Sequence, residues 1–190
     1  MLKKSVLVAV LSATLLFSGC GDDKKSSNQT TKKADNILPS NEFVLTSTDN
    51  KKYVIKKEAD GFILKGAEGK VVIFDIFATW CPPCQASASH LTSLQEKYKD
   101  KVVVLGITIE EDISNNKLEE FKKDFNAKYT ILNSKSNYSL VKKIATALNL
   151  GENFPIPLMV LYKDGKLINH YVGKVQEEFV QSDIKRALKI

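Results

Sequence analysis

Cysteine, histidine, arginine and tryptophan are all scarce in this chain of 190 residues. Three cysteines are too few for a scaffold held together by disulfides. Two histidines, His90 and His170, leave little from which to build a metal centre. Arginine occurs once, at Arg186, and the lysines are interleaved with acids, as in Lys97-Tyr98-Lys99-Asp100-Lys101 and Glu119-Glu120-Phe121-Lys122-Lys123. A nucleic-acid binder gathers its cations on one face beside stacking aromatics, so the formal charge of +6 does not make one here. The apolar run Ser5–Phe17 falls short of the roughly 20 residues that cross a bilayer as a helix. No internal repeat is visible. What remains is an ordinary globular balance, 43% hydrophobic and 26% charged, with enough apolar side chains for one packed domain plus a tail.

The lone cysteine, Cys20, belongs to the tail. Lys3 and Lys4 form a positive start, Ser5–Phe17 an apolar stretch, and the small residues Ser18 and Gly19 precede Cys20, which is the layout of a secretory signal. The segment Leu16-Phe17-Ser18-Gly19-Cys20 resembles a bacterial lipobox, with Phe17 where an aliphatic residue is usual. That resemblance implies removal of residues 1–19 and diacylation of Cys20, which becomes the mature N-terminus. Two or more acyl chains anchor firmly because their burial energies add. Residues 20–40 are polar until Ile37 and cannot bury enough apolar surface to fold alone, so they read as a tether ending near Pro39. A domain over 41–190 would then be lipid-anchored in a bacterial cell envelope and face the periplasm or the outer surface.

Within 41–190, Glu42–Ser47 and Lys52–Ile55 flank Thr48-Asp49-Asn50 as a hairpin. Val71–Phe77 is a strand buried on both faces, interrupted by the polar Asp75. Pro82 and Pro83 open a helix to about Tyr98, and Val102–Ile109 is a second buried strand. Helices over Asn115–Phe125 and Asn137–Leu148 bracket a short extended piece, Tyr129–Leu132. Pro157–Tyr162 and Lys166–Val172 flank the turn Lys163-Asp164-Gly165, and Val175–Leu188 has helical spacing. Strands alternating with helices and closing on a hairpin make an α/β sandwich around a mixed sheet.

The chemistry concentrates in Trp80-Cys81-Pro82-Pro83-Cys84, which follows a buried strand and opens a helix. Two cysteines three positions apart can close a small disulfide. The first can also turn its sulfur toward the positive helix end, which favours the thiolate, the attacking species in thiol–disulfide exchange. Half of a zinc site and an inert structural disulfide are the competing readings of the same spacing.

Phe77-Ala78-Thr79-Trp80-Cys81-Pro82-Pro83-Cys84 resembles the active-site segment of the TlpA/ResA-like thioredoxins, a membrane-tethered extracytoplasmic branch of the thioredoxin superfamily. The resemblance runs over roughly residues 42–190. It implies a thioredoxin-like three-layer sandwich with a mixed central sheet, an N-terminal β-hairpin, and an insert before the cis-proline strand, here about residues 112–150. It implies thiol:disulfide exchange by a redox-active Cys81/Cys84 pair, with no cofactor and no metal. Pro157, preceded by Ile156 in Phe154-Pro155-Ile156-Pro157, fits the cis-proline that faces the cysteines, with Pro155 as the rival candidate. Backbone groups beside such a proline are placed to receive an incoming chain as an added strand. Trp80, Pro82 and Pro83 complete the contact surface around the pair.

Asp75, six residues before Cys81, matches the buried aspartate of cytosolic-type thioredoxins, where many TlpA/ResA-like chains carry Asn. A carboxyl inside an apolar strand holds its proton to higher pH, which suits an acceptor for the Cys84 proton. Members devoted to cytochrome c maturation often have Glu three residues after the second cysteine and Pro five after it; Ser87 and Ser89 stand there, which counts against a dedicated cytochrome c role. Glu110, Glu111 and Asp112 read as a solvated loop closing a strand, and His90 as helix surface.

The resemblance further implies disulfide-bearing extracytoplasmic proteins as substrates and a membrane electron donor of the CcdA/DsbD kind. An oxidase or isomerase on the same fold is the nearest rival. A copper-handling relative is the more distant one, since that branch spaces its cysteines one residue further apart. Pro82 and Pro83 bear on direction: neither has an N–H, so only Cys84 can donate to a Cys81 sulfur at the helix cap. A less stabilised thiolate makes the disulfide less oxidising, in keeping with a reductant. For the anchor, Cys20→Ala is expected to abolish fatty-acid incorporation and release soluble or uncleaved protein; normal processing with unchanged membrane partition would remove the lipoprotein assignment.

Overall fold

The computed structural model describes residues 41–151 and 153–190; the expected signal segment over 1–19, the expected lipidation site Cys20 and the expected tether over 20–40 lie outside them. In chain order the strands β1 (Glu42–Thr46), β2 (Lys52–Glu58), β3 (Gly61–Leu64) and β4 (Val71–Phe77) lead to the helix α1 (Pro82–Tyr98). Then come β5 (Val102–Thr108), α2 (Asn115–Asp124), β6 (Thr130–Leu132), α3 (Asn137–Ala147), β7 (Leu158–Lys163), β8 (Lys166–Val172) and α4 (Glu177–Leu188).

The main sheet has the order β6-β5-β4-β7-β8. β4, β5 and β6 run parallel, while β7 and β8 are antiparallel to their neighbours. β4 is central and buried at every position, which explains its nearly unbroken run of apolar residues. Alternate side chains enter opposite cores. Val71, Ile73 and Phe77 pack with residues of α1, α2 and α4, such as Leu91, Phe121 and Ile184. Val72, Phe74 and Ile76 pack with Leu140 and Ile144 of α3 and with Leu45, Ile55 and Phe62 of the N-terminal strands. The result is the mixed three-layer sandwich that the sequence predicts.

The N-terminal hairpin is extended by a strand that sequence reading did not anticipate. β1 and β2 pair antiparallel, and β3 returns along β2 with Ile55 opposite Leu64. Gly61 permits the close approach of this small sheet to the main one: a Cβ there would lie 2.6 Å from both the Gly165 carbonyl oxygen and the Tyr162 ring. The segment over 112–150 holds α2, β6 and α3, and β6 joins the main sheet as an edge strand rather than standing apart. Asp164 and Gly165 both have positive φ, the geometry that a two-residue hairpin of this hand requires.

Three loops follow the carboxyl ends of the parallel strands β4, β5 and β6, and β7 begins at the same edge because it runs antiparallel to β4. In sheets of this kind that edge is where ligands bind.

Candidate active site

The chain leaves β4 through Ala78-Thr79-Trp80 and enters α1 at Cys81, the N-cap residue, with extended φ and ψ of −89° and 108°. An N-cap side chain accepts from a free N–H of the first turn, a task usually given to Ser, Thr, Asp or Asn. Here sulfur does it: the Cys84 N–H donates to Cys81 Sγ at 3.4 Å. Pro82 and Pro83 occupy the first helical positions and offer no N–H. Cys81 and Cys84 are joined by a disulfide, with Cα atoms 5.2 Å apart, and both are buried. The Ile156–Pro157 peptide is cis. The Ile156 carbonyl oxygen lies 3.8 Å from Cys81 Sγ. Trp80 stands 66% exposed beside the pair. The motif and the cis-proline, 76 positions apart in sequence count from Cys81 to Pro157, thus meet at one edge of the sheet.

Asp75 is 2% exposed. By strand alternation it shares the sheet face of Val71, Ile73 and Phe77, the face whose core contains Cys84, Ala88 and Tyr129. The Tyr129 hydroxyl donates to Asp75 Oδ2 at 3.1 Å, and Oδ1 has no hydrogen-bond partner among the described residues. Burial raises the carboxyl from its ordinary 3.8 to about 7, against the smaller opposing effect of the Tyr129 hydrogen bond. The same desolvation, with the nearby carboxylate, holds the Tyr129 phenol well above its usual range, so it remains a donor. Gly106 sits opposite Asp75 in the register of β4 and β5. A Cβ at Gly106 would lie 3.0 Å from the Tyr129 ring, so the bare backbone leaves the phenol room to pack.

Glu110 corrects the reading of its loop as simply solvated. Its carboxylate accepts from the Thr79 N–H at 2.6 Å and from the Thr79 hydroxyl at 3.0 Å. Gln85 Nε2 donates to the Thr79 carbonyl at 2.7 Å. The residue two before Cys81 is therefore held from the segment after β5 and from α1 at once. Glu111 and Asp112 are exposed, as the solvated reading has it. The signal for Glu110 lay in the register: β4 and β5 pair at a constant offset, with Phe77 opposite Thr108, and two steps further the same offset sets Thr79 opposite Glu110. Tyr129 carried no comparable signal, since a tyrosine at the head of a short strand is unremarkable until the partner face is known.

On α1, the Ser87 hydroxyl donates to the Pro83 carbonyl at 2.9 Å, and the helix continues unbroken past the exposed Ser89. His90 is half-buried on α1 and His170 on β8. Among the described residues no group of three or more His, Cys, Asp or Glu is arranged to hold a metal ion.

Comparison with known proteins places the chain in a family. The family model described as Redoxin matches residues 33–188. The chain shares 28% identity over 149 residues with the thiol-disulfide oxidoreductase ResA of Bacillus thuringiensis (strain Al Hakam), covering 73% of this chain and 81% of that protein. A thiol:disulfide interchange protein of the thioredoxin family from Chlorobium tepidum superposes with a TM-score of 0.59 at 20% identity, covering 79% of this chain and 95% of that one. StoA from Bacillus subtilis superposes with a TM-score of 0.53 at 16% identity, covering 75% and 95%.

The raised carboxyl of Asp75 has a consequence for stability. Between about pH 4 and about pH 7 the unfolded chain has released this proton while the folded chain keeps it, so this group's contribution falls as pH rises through that window. At about 1.4 kcal/mol per pKa unit, the loss amounts to roughly 4 kcal/mol. We expect Asp75→Asn to be more stabilising, relative to wild type, at pH 8 than at pH 4.5 in urea unfolding of the oxidised proteins. An equal effect at both pH values would contradict the raised carboxyl.

Proposed function

Because the chain belongs to the Redoxin family and is a thiol-disulfide oxidoreductase, we propose that it works as a reductant of disulfides in extracytoplasmic proteins, using the Cys81/Cys84 dithiol. The observation that carries this reading is the Cys81 sulfur itself, which caps α1 with one N–H donor and lies beside the Ile156 carbonyl and the cis-proline.

In the reduced protein the Cys81 thiolate attacks one sulfur of a substrate disulfide. A Cys81–substrate disulfide forms and the other substrate sulfur leaves as a thiolate. An extended substrate segment is received along the backbone at Ile156, before the start of β7. Asp75, on the face shared with Cys84, accepts the Cys84 proton. A carboxyl poised at about 7 can take and return a proton near neutral pH. The Cys84 thiolate then attacks Cys81 Sγ, the second substrate sulfur departs, and the Cys81–Cys84 disulfide remains. Two electrons have moved to the substrate, and they must be restored before another turnover. A membrane donor of the CcdA/DsbD kind, acting on a domain held to the membrane through a lipidated Cys20, would restore them by the same exchange in reverse.

Ser87 and Ser89 stand where cytochrome c maturation members often carry Glu and Pro, so the proposed substrate class is disulfide-bearing envelope proteins in general rather than apocytochrome c alone. The order of attack is open to trapping. With Cys84→Ser, mixed disulfides through Cys81 should accumulate in cells and disappear on reduction, while Cys81→Ser should yield none. Equal adducts in both variants would reverse or remove the assigned roles.

A further inference from the structure

The buried carboxyl of Asp75 is served by a donor that carries no charge. Tyr129, itself buried, stands just before β6 and reaches across β5 to bond Asp75 Oδ2 on β4. Gly106 of β5 lies opposite Asp75 in the strand register, and a Cβ there would come within 3.0 Å of the Tyr129 ring and 3.1 Å of the Phe77 ring. The missing side chain leaves the phenol its path. Among the described residues no lysine, arginine or histidine is buried. Against this face of the sheet α1 brings Cys84, with Cys81 at its cap, while α2 brings Phe121, α4 Ile184 and β7 Met159; of these only the cysteines titrate. The other buried carboxyl, Asp183 of α4, is bonded to Asn169, Tyr171 and Arg186. Burial and the Tyr129 hydroxyl are the two influences on the Asp75 proton, and they oppose each other.

That opposition suits a base. A cation in the place of the phenol would hold the carboxyl ionised and make it a weak acceptor. Burial with no donor at all would hold it protonated and unable to accept near neutral pH. A phenol donates one hydrogen bond to the carboxylate and keeps its own proton, since burial and the neighbouring carboxylate hold its ionisation well above the usual range. We propose that Tyr129 is a positioning residue for resolution of the mixed disulfide: its hydroxyl holds Asp75 ready to take the proton of Cys84, and Gly106 makes the room for it. The proton passes from Cys84 Sγ to the Asp75 carboxylate, Tyr129 gives up none, and the Cys84 thiolate attacks Cys81 Sγ, releasing the bound sulfur as a thiolate. The proposal rests on the reading of Asp75 as the proton acceptor and adds the residue that keeps it competent.

Tyr129→Phe removes one oxygen and keeps the ring, so packing is preserved while the donor is lost. The reduced full chain is mixed in stopped flow with equimolar DTNB, an aromatic disulfide. Attack by Cys81 releases the first thionitrobenzoate and attack by Cys84 the second, so the two steps are read separately. Loss of a donor to a carboxylate should move the midpoint of the second step alkaline by about one pH unit. The second-step rate of Tyr129→Phe relative to wild type should then rise about fivefold between about pH 5.5 and about pH 8, with the first step unchanged within about twofold. In an Asp75→Asn background, Tyr129→Phe should leave the pH dependence as it was. If Asp75→Asn slows the second release while Tyr129→Phe loses nothing, or loses the same factor at every pH, or shifts the profile equally without the carboxyl, the role of Tyr129 is overturned and Asp75 stands as acceptor. No slowing of the second release in Asp75→Asn would overturn the acceptor reading and this proposal with it.

Discussion

Sulfur acts as a helix cap at the centre of this structure. The buried strand β4 ends at a fixed point, the chain takes four residues to turn, and α1 begins with Cys81 Sγ accepting from the Cys84 N–H. Capping ties the reactive atom to the first turn of a helix that packs through Ala88, Leu91 and Leu94 against the main sheet. The positive end of that helix acts on whatever charge the sulfur carries. Pro83, at the second helical position, removes the other N–H that an N-cap acceptor could have used. Among the described residues one N–H donates to this sulfur; in the proposed account that donor and the helix dipole are what would stabilise a Cys81 thiolate and so set the redox behaviour of the pair.

The parallel pairing of β4 with β5 distributes the remaining parts. One constant offset sets Asp75 opposite Gly106 and, continued past the strand ends, Thr79 opposite Glu110. The first pairing leaves space for the Tyr129 ring, whose hydroxyl is, among the described residues, the one hydrogen-bond partner of a carboxyl pushed up to about 7. The second holds the approach to Cys81 from the side. A buried carboxyl is unfavourable to stability once ionised, and an apolar residue would fill the same strand position better. The strand is otherwise free of polar groups, and the proton-acceptor role proposed for Asp75 would account for a carboxyl at this position.

Most of the framework was legible because its signals are local. The β-branched run Val71–Phe77, the two prolines opening α1, and the Asp164-Gly165 turn each specify an element without reference to distant residues. The cysteine motif and Pro157 were legible through their resemblance to a family pattern. Other features depend on contacts that form only after folding. β3 is four residues long and exists because Gly61 lets it close on the turn between β7 and β8. Tyr129 and Glu110 gain their places from strand register. Periodicity and composition carry no trace of such pairings.

The claim that this dithiol donates electrons is tested most directly by its reduction potential, obtained by equilibrating the Cys81/Cys84 pair against glutathione or dithiothreitol. With a single N–H among the described residues donating to the Cys81 sulfur, the value should lie nearer that of thioredoxin, about −270 mV, than that of the oxidant DsbA, about −120 mV. Pro83→His, which restores a donor at the second helical position, should shift it upward, with about 30 mV for each 1.4 kcal/mol of added thiolate stabilisation. A wild-type value near −120 mV would contradict the assignment as a reductant, and no upward shift in Pro83→His would contradict its physical basis.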